Sequence, residues 1–163
     1  MQGVYPSDSY AAFKGYYVST TSLQDSSYPI YDVRRYANAV NLSFVVLPHL
    51  TQVSETGVKL GDFVYVYSAK TRKSSFAVYA DVGPTSQIGE GSVALHLALG
   101  HDPFSHSSSP RVVNGIDGGV LVLVFPGTGD GTLPTQAKVD EAGTRALGAW
   151  GGVARVQKCL LLG

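Results

Sequence analysis

The run Phe63-Val64-Tyr65-Val66-Tyr67 constrains this chain more than any other segment. Its aromatic residues fall on one side of an extended backbone, and Val64 and Val66 fall on the other. Both faces of such a strand are expected to be buried. β-Branched and aromatic runs recur at Ser43 to Leu47, Phe76 to Ala80 and Val120 to Phe125, each bounded by Gly, Pro, Asn or Asp turn residues. The expectation is a mainly β fold whose strands close, or nearly close, into a barrel.

Two segments break the alternation. Ser92 to Leu99, followed by Gly100, is densely apolar and carries a glycine at the helix stop, which predicts a short buried helix. From Thr135 to Trp150, Val139, Gly143, Ala146, Leu147 and Trp150 recur at helical spacing, with Lys138, Asp140, Glu141 and Arg145 at polar positions. Gly151 and Gly152 are expected to end that helix. With 163 residues, 44% of them hydrophobic, the chain can build one substantial core but hardly two. The expected organisation is an N-terminal extension over 1–15 and a single domain over 16–163.

Charge and cysteine content narrow the partners. Twelve basic residues balance twelve acidic ones, which argues against the phosphate-neutralising surface of a nucleic-acid binder. The longest wholly apolar stretch, Val120 to Phe125, is strand-length and far short of the roughly 20 residues of a membrane span. Neither nucleic acid nor membrane is expected as a partner. Cys159 is the lone cysteine, so no disulfide forms within one chain, and a buried inert thiol is expected. The first ten residues lack the charged start and apolar middle of a signal peptide.

The segment Tyr79-Ala80-Asp81-Val82-Gly83-Pro84-Thr85-Ser86-Gln87-Ile88-Gly89-Glu90-Gly91-Ser92 joins a predicted strand to a predicted helix. An aspartate at the strand's end and a glutamate at the helix's start can face one space from rigid elements. Glycoside hydrolysis needs such a pair, one carboxyl to protonate the leaving oxygen and one to activate water or attack the sugar. Spacing alone favours a plainer arrangement, in which Asp81 holds a turn and Glu90 favours the positive end of a helix.

Several blocks in order along the chain shift that balance. Tyr16-Tyr17-Val18-Ser19-Thr20-Thr21, Asp32-Val33-Arg34-Arg35-Tyr36-Ala37-Asn38-Ala39, Phe44-Val45-Val46-Leu47-Pro48, Leu60-Gly61-Asp62, the Asp81 to Ser92 loop and Val120 to Gly129 together resemble the glycoside hydrolase family 75 chitosanases. The resemblance covers about Tyr16 to Gly152. Val82 after the aspartate and the lone cysteine depart from the family pattern. The resemblance implies a six-stranded double-psi-like β-barrel with a short buried helix and a C-terminal helix. It also implies a secreted, monomeric, endo-acting chitosanase that cleaves a β-linked amino-sugar polymer, without cofactor or metal. Asp81 and Glu90 would be its essential acids.

Family members are thought to invert the anomeric centre, which assigns one carboxylate to water and the other, protonated, to the glycosidic oxygen. Glu90 is expected to be the acid and Asp81 the base, although a helix start beside Glu90 would favour its ionised form. Asp32 and Tyr36 are the candidate substrate contacts, a carboxylate for cationic sugars and an aromatic face for a ring. The plainer alternative pairs Asp32 with Arg34 or Arg35 and puts Tyr36 in the core. Two other functions fit the same scaffold: cleavage of peptidoglycan strands, and non-hydrolytic carbohydrate binding of the expansin or barwin kind.

Other signals are weaker. His96, His101 and His106 recur in steps of five, which do not stay on one helix face, so they are not expected to bind zinc. Gly127-Thr128-Gly129-Asp130-Gly131 lacks the Gly-Lys-Ser/Thr ending of a phosphate loop. No Gly-x-Ser-x-Gly elbow supports a nucleophilic serine.

Overall fold

The computed structural model describes residues 3–4, 18–49, 55–85, 88–106, 108 and 111–161. Most of the 1–15 extension, Tyr16 and Tyr17 of the first family-like block, and Ser86 and Gln87 of the Asp81 to Ser92 loop lie outside them. The strands are β1 (Gly3–Val4), β2 (Val18–Ser19), β3 (Phe44–Pro48), β4 (Phe63–Ser68), β5 (Lys73–Gly83), β6 (Glu90–Gly91) and β7 (Val120–Phe125). The helices are α1 (Val93–Ala98), α2 (Gln136–Trp150) and α3 (Gly152–Leu161), with a 3-10 turn at Val33–Arg35.

β1 and β2 form a small antiparallel pair, and the other five strands form one sheet in the order β6-β3-β5-β4-β7. β3 runs parallel to β5, while the β3–β6, β4–β5 and β4–β7 pairs are antiparallel. Each strand predicted from sequence is present, and β4 is buried on both faces from Phe63 to Val66.

What covers those faces differs from the expectation. One face carries Phe44, Phe63, Tyr65, Val78 and Phe125 and packs against Val139, Leu147 and Val156 of α2 and α3. The other carries Val45, Leu47, Val64, Val66, Ala77 and Tyr79 and is covered by Leu95 and Leu99 of α1 with Val58, Leu60 and Ile116. The fold is therefore mixed α/β, a sheet between helical and loop layers, rather than mainly β. The sheet is not closed into a barrel, and its ends are β6 and β7. The reason lies in the edges. β6 is two residues long, and among the described residues the segment between α1 and β7 contributes only the isolated bridge Phe104↔Val112, so no ladder of theirs spans the gap.

α1 matches the predicted short helix. Ser92 caps it by accepting the Leu95 N–H on its hydroxyl oxygen, a bond that satisfies one of the free amides of the first turn. Leu95 and Leu99 are buried, while Leu97 faces outward. α2 begins at its Thr135 cap and ends at Gly151, whose φ of 121° suits a residue without a side chain. The Gly151–Gly152 pair does end α2, but it turns the chain directly into α3, a helix beyond the two expected from the sequence. Val156 is the side chain α3 buries. Cys159 on the same helix is exposed, which corrects the expectation of a buried thiol: past Val156, residues 157 to 160 of α3 all face solvent.

Candidate active site

Three neighbouring strands bring the two acids together. Asp81 of β5 is in register with Val46 of β3, and Val46 is in register on its other side with Glu90 of β6. Residues in register across strands point to the same face, so Asp81, Val46 and Glu90 form a row. Glu90 reaches along that row toward β5, since a Cβ added to Gly83 would stand 3.5 Å from its Oε2. Gly83 is two residues beyond Asp81, about 6.6 Å along an extended strand.

A bulge sets the direction of Asp81. The register passes from Val45↔Tyr79 to Val46↔Asp81, so β5 carries one extra residue, Ala80. Without it, strict alternation would place Asp81 on the face of Ala77 and Tyr79. The extra residue reverses the alternation, sending Val82 to that face and Asp81 to the face of Val46. The carbonyl of Ala80, passed over by β3, accepts the Leu23 N–H at 2.8 Å. That bond lays residues 21–24 beside the end of β5.

Residues 21–24 then hold Asp81. Ser22 donates its backbone N–H (2.9 Å) and its hydroxyl (2.7 Å) to Asp81 Oδ1, and the Val82 N–H adds a third bond at 2.9 Å. Glu90 is exposed, and no hydrogen bond or ion pair among the described residues holds its carboxyl. Burial, with a smaller effect from the charge of Asp81, pushes the Tyr79 hydroxyl above its ordinary value. Glu90 is not at a helix start as expected. It lies in β6, two residues before the Ser92 cap, and the favourable field of a helix end fades beyond the first turn.

Asp81 and Glu90 line an open cleft of about 770 Å³ together with Ser19, Thr20, Ser22, Gln24 and Tyr36. They also border a wider apolar groove that continues past Ile88, His96 and Val112. The carboxyl pair thus lies where a polar cleft runs into an apolar groove.

The two candidate substrate contacts separate. Tyr36 lines the cleft, but it is largely buried and its hydroxyl donates to the Ile30 carbonyl at 2.7 Å. Asp32 is not among the lining residues. Its side chain caps the 3-10 turn through the Arg34 N–H and pairs with the Arg34 guanidinium, which holds its carboxyl below the ordinary value. Ser22 was missed from sequence, where the family-like block ended one residue before it. No local signal marks it, because its partner is 59 positions away.

The remaining motifs resolve into structural roles. His96 Nδ1 lies 3.3 Å from the Ser92 carbonyl, His101 meets Ser68, and His106 stands 3.8 Å from Asp102. Among the described residues, no group of three His, Cys, Asp or Glu side chains is placed to hold a metal ion. No helix among them is long and apolar enough to cross a membrane. The Gly127 to Gly131 loop does cradle an anion, but it is the chain's own Asp62, which accepts the Thr128 and Gly129 amides. No protein-family model matches the chain, and no curated protein matches it.

Proposed function

We propose that this chain is an endo-acting glycoside hydrolase that cuts chitosan or a related β-linked amino-sugar polymer with inversion. The observation that carries the reading is the row Asp81–Val46–Glu90, which puts two carboxyl groups on one face of the sheet in one open cleft. The two acids come from strands on either side of β3, so their backbones stand two strand spacings apart, about 9.6 Å. Carboxyl groups reaching from two flanking strands leave room between them for the water that an inverting pair needs. An open cleft can admit a polymer, and the polar groups of Ser19, Thr20 and Gln24 suit sugar hydroxyls.

Glu90 is the general acid in this proposal, exposed toward the glycosidic oxygen. Asp81 is the base, with Oδ1 held and Oδ2 left to accept a proton from water. Kinship with double-psi hydrolases belongs to the same proposal and rests on the ordered blocks of sequence, not on barrel closure. Secretion and a monomeric state come from that resemblance as well.

Reducing ends released from soluble chitosan test the reading, with Glu90→Gln and Asp81→Asn alongside wild type. Each variant is expected to lose roughly 100-fold or more of the turnover, the usual weight of a general acid or base. Near wild-type activity in both variants sinks the pair. Release from cell-wall glycan and not from chitosan moves the substrate, and polymer binding without new reducing ends points to an expansin-like module.

A further inference from the structure

We infer that Ser22 is a positioning residue that fixes the direction in which the Asp81 carboxyl presents its free oxygen. The inference rests on the reading of Asp81 as the base, and its geometric half stands without it.

Three donors converge on a single oxygen, Oδ1, and two of them come from Ser22. A half-turn about Cβ–Cγ only exchanges two equivalent oxygens, but any smaller rotation of the carboxyl plane strains all three bonds. Oδ2 is thereby the atom left to face the cleft. A base must hold its water in line with the sugar, and small errors in such placement are costly to turnover. One pinned oxygen removes that freedom before substrate arrives.

The residues around Ser22 are built to hold it still. Leu23 is buried and donates to the Ala80 carbonyl. Thr21 is buried, donates its hydroxyl to the Leu23 carbonyl at 2.8 Å and accepts the Ala37 N–H at 3.0 Å. Gln24 bridges to Tyr36, and the Asp25 N–H donates to the Arg35 carbonyl at 2.8 Å. Ser22 is exposed between the buried Thr21 and Leu23, and its side chain is spent on Asp81. The bulged Ala80 links the two halves, since the same extra residue that turns Asp81 toward the cleft offers the carbonyl that registers Leu23.

The chain supplies its own control. Ser27 donates its N–H (3.0 Å) and hydroxyl (2.7 Å) to Asp25 Oδ1, the same two-donor geometry away from the cleft lining. On chitosan, Ser22→Ala is expected to lower kcat at least about tenfold with KM unchanged within about twofold, while Ser27→Ala changes neither. Ser22→Thr, which keeps the hydroxyl, should recover most of the loss. The melting temperature of each variant should stay within about 4 °C of wild type, the scale of one exposed hydrogen bond.

A second readout does not depend on activity. The backbone amide resonances of Ser22 and Val82 should move together with pH at one shared midpoint, and Asp81→Asn should abolish the movement. Wild-type kcat in Ser22→Ala, a loss confined to KM, or Ser22→Thr as impaired as Ser22→Ala overturns the positioning role. Amides that respond to pH independently overturn the geometry. An inactive wild type with co-titrating amides fails the hydrolase reading alone and upholds the geometry.

Discussion

Asp62 is a carboxylate at 1% exposure whose oxygens are all engaged by the backbone. Oδ2 accepts the Lys59 N–H at 2.8 Å, and Oδ1 accepts the Thr128 and Gly129 amides at 2.9 and 3.0 Å. The approach is so close that a Cβ on Gly129 would fall 2.0 Å from the Gly61 carbonyl oxygen, a position only glycine can hold. Asp62→Asn keeps the shape but turns one acceptor into a donor, so its amide group must face an N–H whichever way it is placed. An unmet buried group costs about 1–3 kcal/mol, and chemical denaturation should show a loss of that size. Wild-type stability in Asp62→Asn would mean that the side chain is not what ties loop 59–62 to loop 126–129. The sequence displayed both segments as family-like blocks, yet nothing in either one named the other as its partner.

α2 carries two glycines that the helical pattern treats alike and the packing does not. A Cβ on Gly143 would stand 2.4 Å from Cδ1 of the Phe76 ring, because α2 lies directly on β5 there, whereas Gly148 faces open space. Gly143→Ala should therefore cost about 1–3 kcal/mol through overpacking, while Gly148→Ala should add about 0.5–1 kcal/mol by stiffening the unfolded chain. Thermal melts of the two variants should shift in opposite directions, and a shift of the same sign would contradict this packing. Periodicity found α2 and its buried positions because a helix laid on a sheet must be amphipathic. It missed α3 because two glycines usually mark an exit. Here they are a corner: Arg155 of α3 stacks on the Trp150 ring at 4.3 Å and donates to the Trp150 carbonyl at 2.8 Å, closing the turn back onto α2. Strand alternation likewise revealed which residues are buried but not what buries them, so two covered faces were taken for a barrel wall.

Over the whole molecule, the site depends on contacts that no local pattern can hold. Asp81 and Glu90 were visible as residue types in a motif, but their common face comes from Val46, 35 positions before Asp81, and from a single-residue bulge. Acid stability, by contrast, rests in part on local contacts, surface carboxylates held by partners two to eight residues away. Asp25 is held below its ordinary value mainly by Ser27, Asp32 by Arg34, and Asp130 by Lys138 with Thr132. Each binds its proton less readily when folded than the ordinary value of 3.8 that it regains on unfolding. Their stabilisation is therefore fully present above about pH 4 and is lost as the pH falls toward the folded values. All three lie at the surface, Asp130 exposed and Asp25 and Asp32 half-buried, so each effect is small and screened by salt. The melting temperature should show no loss from these groups between pH 7 and 5 and should fall below about pH 4. The triple variant with Asp25, Asp32 and Asp130 each replaced by Asn should melt lower than wild type at neutral pH and show a shallower acid decline. An acid decline as steep as that of wild type would place the proton-sensitive contacts elsewhere in the fold.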